Sequence, residues 1–540
     1  MRQTWRWVAI AVVLSASAGV AWGYLVAGAV SLEKLAEEAD VVFKGTAVGS
    51  GPVQDEWFKP YPDFVARQTR FQVVSVLKGE APAGELAFRH YEEDPNPRGR
   101  MFEPQHYRFE AGRTYIVFAK KGEEAGVFRQ IWMYHKSKLD QGVLLCADKK
   151  PAAGKTVKEV IWSELLAMLR SVGESDVTYA IDQLDQMSAG EAVWGGLSDF
   201  DRKEVLAAVR EKMIDPHPAI ARAAIVAVGS HNPYMSRERA LFWLATVGGG
   251  EAPGIGKMNP NLTNPGGETY WQDLAALADG KAAAETRALA ITALGLVREP
   301  ALQDRIGLWL QDPSPDVRAA AALLLADFPG PETLNRLTDM EGDPAPQVRT
   351  ATAHAVGFGQ YADLADILAR LLTDKERPVR EGAAMSLLSF SPKKEAMARV
   401  FRANLANEEF HPLFLIALAR QDPEHYVDAL AEVVEKKPEP KNFWGGQIPA
   451  FTAWEILFKY LQARPAEEVR SGKLDRYLDA MEQVGNYSSS EPRDIYAFYV
   501  QRGMTERARK FREAATGAAT YDLDRYFRQV DENPSLYLRD

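Results

Sequence analysis

Asp312-Pro-Ser-Pro-Asp-Val-Arg318 recurs as Asp343-Pro-Ala-Pro-Gln-Val-Arg349 and again as Asp374-Lys-Glu-Arg-Pro-Val-Arg380, so the acid and the arginine both return every 31 residues. One more step back from Arg318 falls on Arg287. A fixed period in this range marks stacked supersecondary units, none of which can bury its core alone. Leu364, Ile367, Leu368 and Leu371 keep the i, i+3, i+4, i+7 spacing of one apolar helical stripe. The Asp follows that stripe. A proline one to four residues later ends the first helix and suits the opening turn of the next, where its missing N–H is no loss. Each Asp-Pro segment therefore predicts a tight corner between two antiparallel helices.

Three residues past each arginine the side chain is small: Ala290, Ala321, Thr352 and Ala383. Such residues let the second helices of neighbouring units approach closely, while Leu294, Leu325, Val356 and Leu387 fill the layer between them. Together these residues resemble HEAT-type repeats, in particular the short bacterial kind also found in phycobilisome-lyase-like proteins. The resemblance runs well over about 200–400 and weakly to about 530. It implies that Asp312, Asp343 and Asp374 form a hydrogen-bonded ladder with Arg318, Arg349 and Arg380. It also implies a scaffold role rather than catalysis. Asp215-Pro-His-Pro-Ala-Ile is similar to an earlier corner, but Ala221 occupies the arginine slot and Arg222 falls one residue late.

At 540 residues the chain is too long for one ordinary core unless an array extends it. Net charge is −10, with acids and bases interspersed and no strongly basic block, which argues against a nucleic-acid backbone as partner. Cys146 is the only cysteine, so an internal disulfide framework is excluded, as is a structural zinc site built on several cysteines. Arg2 and Arg6 precede an uncharged, mainly apolar run from Trp7 to Val30. Residues 1–29 read either as a cleaved export signal or as an uncleaved anchor, with 7–30 long enough to tether the chain to a membrane. Both readings place the rest of the chain outside the cytoplasm.

From 31 to 150 the pattern changes to short strand-like runs. Val41–Val48, Thr69–Leu77, Glu85–Arg89, Tyr115–Phe118 and Val127–Trp132 carry β-branched and aromatic residues and are punctuated by Gly45, Gly79, Gly112 and Gly126. Ser31 caps a short helix ahead of them. The runs predict a small all-β barrel or sandwich. Glu38-Ala-Asp-Val-Val-Phe-Lys-Gly-Thr46, Phe71-Gln-Val-Val-Ser-Val-Leu-Lys-Gly79 and Phe109-Glu-Ala-Gly-Arg-Thr-Tyr-Ile-Val-Phe118 resemble the netrin/TIMP-like OB-fold family. The disulfides and chelating N-terminal cysteine of the animal inhibitors are missing, so metalloprotease inhibition is not implied. Two Pro-rich loops present Trp57, Phe58, Tyr61 and Phe102 as contact residues or as covers for the ends of the barrel.

Residues 151–198 read as a helical linker, 199–435 as the HEAT-type superhelical solenoid, and 436–540 as a divergent helical extension. Gly248 to Gly267 breaks the array with a Gly- and Pro-rich insert, and a second break surrounds Phe443-Trp444-Gly-Gly. Trp243, Tyr270 and Trp271 flank the first insert, and Phe443 and Trp444 sit in the second. These aromatics either line a binding surface or pack as core. No metalloprotease, phosphate-loop, nucleophile-elbow or EF-hand motif is present. His90, His106 and His135 match no ligand spacing, His354 reads as a half-buried, satisfied imidazole, and Cys146 as an inert buried thiol. No cofactor is expected. The leading reading is a non-enzymatic extracytoplasmic scaffold that binds a protein or peptide along an extended concave surface. A glycan- or small-ligand-binding protein gripping through the aromatic inserts is the alternative, and a lyase-like enzyme the third.

Overall fold

A computed structural model describes residues 30–60, 63–94, 104–132, 142–188, 199–229, 265–390, 395–407, 409–436, 448–482, 490–518 and 523–533. The described residues fall into two compact units, one holding those up to 229 together with 265–297, the other those from 298 onward.

The first unit opens with helix α1 (Leu32–Glu38), capped by the Ser31 hydroxyl, which accepts from the Lys34 amide. Strands β1 (Val41–Pro52), β2 (Phe64–Lys78), β3 (Glu85–Glu93), β4 (Thr114–Lys121), β5 (Val127–Arg129) and β6 (Val143–Leu145) follow. The first five close into a ring in the order β1-β2-β3-β5-β4, with β4 returning to β1 and β6 added along β4. All pairings are antiparallel except β3–β5. Val41, Phe43, Phe71, Phe88, Val117 and Phe128 fill the ring's core, as the alternation of inward residues on a curved sheet demands. Gly79 is obligatory: its φ is +73°, and a Cβ there would come 2.1 Å from the Asp40 carbonyl. The adjacent Lys78 ammonium donates to the carbonyls of Ala36, Glu37 and Ala39, satisfying the end of α1.

Helices α2 (Val157–Leu169) and α3 (Glu174–Ser188) come next, then α4 (Arg202–Arg210) and α5 (Pro218–Gly229), with α6 (Pro265–Asp279) and α7 (Ala284–Ala293) completing the unit. They hold the ring through polar contacts. Lys44 of β1, wholly buried, donates to Glu164 of α2 at 2.6 Å. Arg113 meets Asp176 of α3 at 2.6 Å, and the Leu145 amide donates to the Tyr179 hydroxyl.

The second unit is entirely helical among the described residues. Its repeats run α8 (Leu302–Trp309), α9 (Pro315–Leu324), α10 (Pro331–Met340), α11 (Pro346–Gly359), α12 (Ala365–Leu371) and α13 (Arg377–Leu388). Pro315, Pro346 and Pro378 each stand in the opening turn of a second helix, as the corner chemistry predicts. The remaining helices are α14 (Glu395–Ala403), α15 (His411–Ala419), α16 (Pro423–Lys436), α17 (Ile448–Gln462), α18 (Ala466–Arg470), α19 (Asp475–Glu482), α20 (Ser490–Gln501), α21 (Thr505–Ala518) and α22 (Leu523–Glu532). From Leu415 to Val530 they share one apolar core. Arginines stitch their outer ends: Arg507 reaches Glu482, Asp475 and Asp479, and Arg512 reaches Asp524 and Asp531.

The fold class is therefore an N-terminal β domain followed by a helical solenoid region. Strand β6 is absent from the sequence-based expectation, because three residues between a turn and Cys146 carry too little periodicity to register.

Candidate functional site

The repeat corners are joined by bidentate ion pairs that run from one unit to the next. Arg318 donates through Nε and Nη2 to the two carboxylate oxygens of Asp343, at 2.8 and 2.9 Å, and through Nη1 to its own corner's carbonyl at Asp312. Arg349 repeats this geometry with Asp374, at 2.7 and 2.9 Å, and with the carbonyl of Asp343. Each Asp has a second duty. Oδ1 of Asp312, Asp343 and Asp374 accepts the amide two residues on, at 2.8 Å each, which shapes the corner as an Asx-turn. One side chain thus sets the turn and receives the neighbouring arginine.

Beyond Asp374 the two duties separate. Arg380 donates to Glu409 at 2.7 and 3.1 Å, while the Asx-turn is made by Asn407, whose oxygen accepts the Glu409 amide. An asparagine makes the turn but offers no charge, so a glutamate two residues on supplies it. Exposure rises at this rung, with Arg380 at 23% and Glu409 at 36% against 9% and 11% for Arg349 and Asp374. At the earlier corner, Asp215 accepts from His217 and Lys212, while Arg222 goes to Glu285 at 2.7 Å. That corner keeps the turn, while Arg222 on its second helix turns to Glu285 rather than back to the corner.

Electrostatics follow the geometry. Burial alone would raise Asp343, but hydrogen bonds from Arg318 and the Ala345 amide bring its carboxyl below the ordinary range. The Arg349 hydrogen bond, opposed by burial, does the same for Asp374. Arg318, Arg349 and Arg380 are raised, chiefly by the hydrogen bond each makes to its carboxylate. These groups are committed to one another, not poised for proton transfer.

Held by this ladder, α9, α11 and α13 pack side by side. Their inward residues are buried: Val317, Ala321 and Ala322; Val348, Thr352 and Ala353; Val379, Ala383 and Ala384. A second stripe on each stays partly open: Ala319, Ala320 and Leu323, then Thr350 and His354, then Glu381. Glycines allow the close approach. A Cβ on Gly357 would lie 2.8 Å from Ser386 Cβ, and one on Gly382 would lie 3.1 Å from His354 Nε2. Half-buried His354 is pushed down to about 4 by burial and is neutral at pH 7.

The aromatic candidates fare differently. Tyr270 is half-buried at a kink inside α6 (φ −117°), with the Arg210 guanidinium 5.1 Å from its ring centroid and Arg210 also bound to Asp273. Trp271 is half-buried beside it. Trp243, Phe443 and Trp444 lie outside the described residues. Trp454 is core, stacked on Phe458, with its indole N–H on the Met481 carbonyl. In the ring, Phe58 is buried against Tyr91, whereas Tyr61, Phe102 and His135 lie outside the described residues. Buried His90 bonds to Thr69 at 2.9 Å and is pushed down to about 4 by desolvation. His106 sits on the Pro104 carbonyl. Burial, helped by Glu164 and opposed by Lys44, pushes the Cys146 thiol far up. Among the described residues, no three His, Cys, Asp or Glu side chains converge as metal ligands. No described helix is long and apolar enough to cross a membrane, and residues 7–29 lie outside the described set.

Residues 272–357 match the family model for HEAT repeats. Among solved structures, YibA of E. coli is 17% identical with a TM-score of 0.32, covering 55% of this chain and 93% of that one. The S. pombe condensin Cnd3–Cnd2 subcomplex is 11% identical with a TM-score of 0.29, covering 70% and 58%. The Pds5–Scc1 complex is 13% identical with a TM-score of 0.26, covering 70% of each chain. No curated protein matches the sequence.

Proposed function

We propose that this chain is a non-enzymatic, extracytoplasmic scaffold that binds a protein or peptide along the second helices of its HEAT-type array. The observation that carries this reading is the partly open stripe on α9, α11 and α13, held in register by the Arg–Asp ladder. Ala319, Ala320 and Leu323 offer apolar surface, and Thr350, His354 and Glu381 offer hydrogen-bonding groups beside it. Arrays of this type present such faces as extended binding surfaces. The closed five-strand ring, with its parallel β3–β5 pair, supports reading the N-terminal unit as the OB-like, netrin/TIMP-like module. The basic start and apolar run over 7–30 support export, with the segment either cleaved or kept as a tether.

Photo-crosslinking in cells tests the binding surface. A photoreactive residue at Ala320 or His354 is expected to give one discrete protein adduct. The same probe at Leu308, 69% exposed on the first helix of its unit, is expected to give none. Equal labelling at all three positions, or none at Ala320 and His354, would sink the reading. An alkaline phosphatase fusion after residue 540 checks location separately: an inactive fusion removes the extracytoplasmic part and leaves the scaffold standing.

A further inference from the structure

Strands β3, β5 and β4 set three cations side by side across the ring. The register pairs Arg89 with Arg129 and Arg129 with Lys120, and residues paired across strands share a face of the sheet. The outer two have counter-ions. Arg89 donates to Asp55 at 3.0 Å, Glu124 at 2.9 Å and Gln68 at 3.0 Å. Lys120 reaches Asp40 at 3.2 Å. Among the described residues, Arg129, between them, has no carboxylate in contact, and its one hydrogen bond runs from Nη1 to the Gln130 carbonyl at 3.3 Å.

Its flat face is occupied instead. The guanidinium carbon lies 4.3 Å from the Trp57 ring centroid, a cation–π arrangement. The loop that delivers Trp57 is built for the purpose. Asp55 Oδ1 accepts the Trp57 amide at 2.9 Å while Oδ2 holds Arg89, and Trp57 packs edge-on to Phe58 at 4.7 Å, with Phe58 anchored on Tyr91. The guanidinium is thus covered on one face by the indole, and along its edge Nη1 alone is engaged among the described residues, on the Gln130 carbonyl. Five N–H groups in a fixed fork match a planar anion.

We propose that the Arg129–Trp57 stack receives a carboxylate from an acidic segment of a protein partner. The guanidinium edge takes the carboxylate, and the indole packs against the chain that bears it. Local charge favours a carboxylate over phosphate. The row is neutral as a whole, with Asp55, Glu124 and Asp40 against three cations, but those acids sit on Arg89 and Lys120; a carboxylate on Arg129 leaves the row at one net negative charge and a phosphate dianion at two, so the smaller charge is favoured. Desolvation pulls Arg129 below the ordinary arginine range, and the more distant Asp55 and Asp40 only partly restore it, as befits a cation short of counter-charge. This site stands on the ring alone and is independent of any partner on the helical array.

The test titrates the full chain with a hexaglutamate peptide at low and high salt, alongside Arg129→Gln, Arg129→Lys and Trp57→Leu. Wild type is expected to bind with an affinity that falls as salt rises. Arg129→Gln is expected to bind about tenfold more weakly, the loss of one charge-assisted bidentate contact. Arg129→Lys recovers only part of this, because an ammonium has neither fork nor flat face. Among the described residues Arg129 holds no ion pair, so unchanged melting is expected for its two variants, whereas Trp57→Leu loses the ring packed on Phe58 and is expected to melt lower. Equal affinity of wild type and Arg129→Gln would overturn the site. Displacement of the peptide from wild type by inorganic phosphate or trigalacturonate at lower concentration than by free hexaglutamate would overturn the carboxylate–peptide assignment, and it needs no variant to fold.

Discussion

Asp374 carries two loads, the Asx-turn to the Glu376 amide and the bidentate pair with Arg349, and substitution can separate them. Asp374→Asn keeps the turn acceptor and removes the charge, leaving Arg349, 9% exposed, without its anion. Breaking a pair this buried is expected to cost about 3 kcal/mol. Glu409→Gln, at a rung more than twice as open, is expected to cost about 0–1 kcal/mol after solvent screening. Urea unfolding followed over the second unit compares them, and equal costs would refute a ladder that weakens toward its end. The pH sense follows from the shift. Asp374's folded pKa lies below its ordinary 3.8, so its contribution is complete above about pH 4 and fades as acid carries pH through the depressed value. The gap between wild type and Asp374→Asn should close only there. His354 runs differently. Its imidazole falls from 6.5 to about 4 on folding, so the unfolded chain binds the proton more readily and stability declines between pH 6.5 and 4. Because the ring is half-open, the decline attributable to it is about 1–3 kcal/mol. Hydrogen exchange of α11 in His354→Gln should lose this slope while wild type keeps it. A slope unchanged by the substitution would assign it elsewhere.

Gly357 decides how closely α11 and α13 approach, since any Cβ there meets both Cα and Cβ of Ser386 below 3.0 Å. Gly357→Ala is expected to cost about 1–3 kcal/mol by overpacking, outweighing the higher helix propensity of alanine. An unchanged urea midpoint would mean that the helices slide apart without penalty. Gly357 stands apart from the small residues that the register places at 290, 321, 352 and 383. The 31-residue register announced small residues at each seam, because Asp, Pro and Arg are fixed by corner chemistry that local sequence displays. It did not announce the split rung at Asn407 and Glu409, whose spacing leaves the register. The only clue there was an Asx residue two positions ahead of an acid. In the ring, Gly and β-branched runs marked five strands, but the return of β4 to β1 and the parallel β3–β5 pair are long-range choices that no single run encodes. In the sequence Arg129 is simply one residue of the Val127–Trp132 run. Its isolation depends on which cations the register sets beside it.

At the scale of the molecule, the step from ring to helices in the first unit turns on one buried charge. Lys44 has no exposed surface, and its ammonium meets Glu164 of α2 at 2.6 Å and Asp148 at 3.5 Å. Glu164 also accepts the Ala147 amide, so the same carboxylate fixes the chain as it leaves β6. A lysine in that position of β1 reads from sequence as a surface residue of an alternating strand, yet it is wholly buried with its ammonium on Glu164 of α2. Such a pair need not stabilise relative to an apolar contact of equal volume, but removing one partner strands the other. Lys44→Met alone should therefore destabilise the first unit by about 3–5 kcal/mol, the cost of a buried uncompensated carboxylate. Adding Glu164→Leu should restore most of that loss, leaving about 1 kcal/mol for the orphaned Ala147 amide. Hydrogen exchange across β1 and α2 reads both variants against wild type. If the double variant is as unstable as the single, the loss is one of packing around the lysine stem, and the ion pair is not what fastens the ring to its first helix.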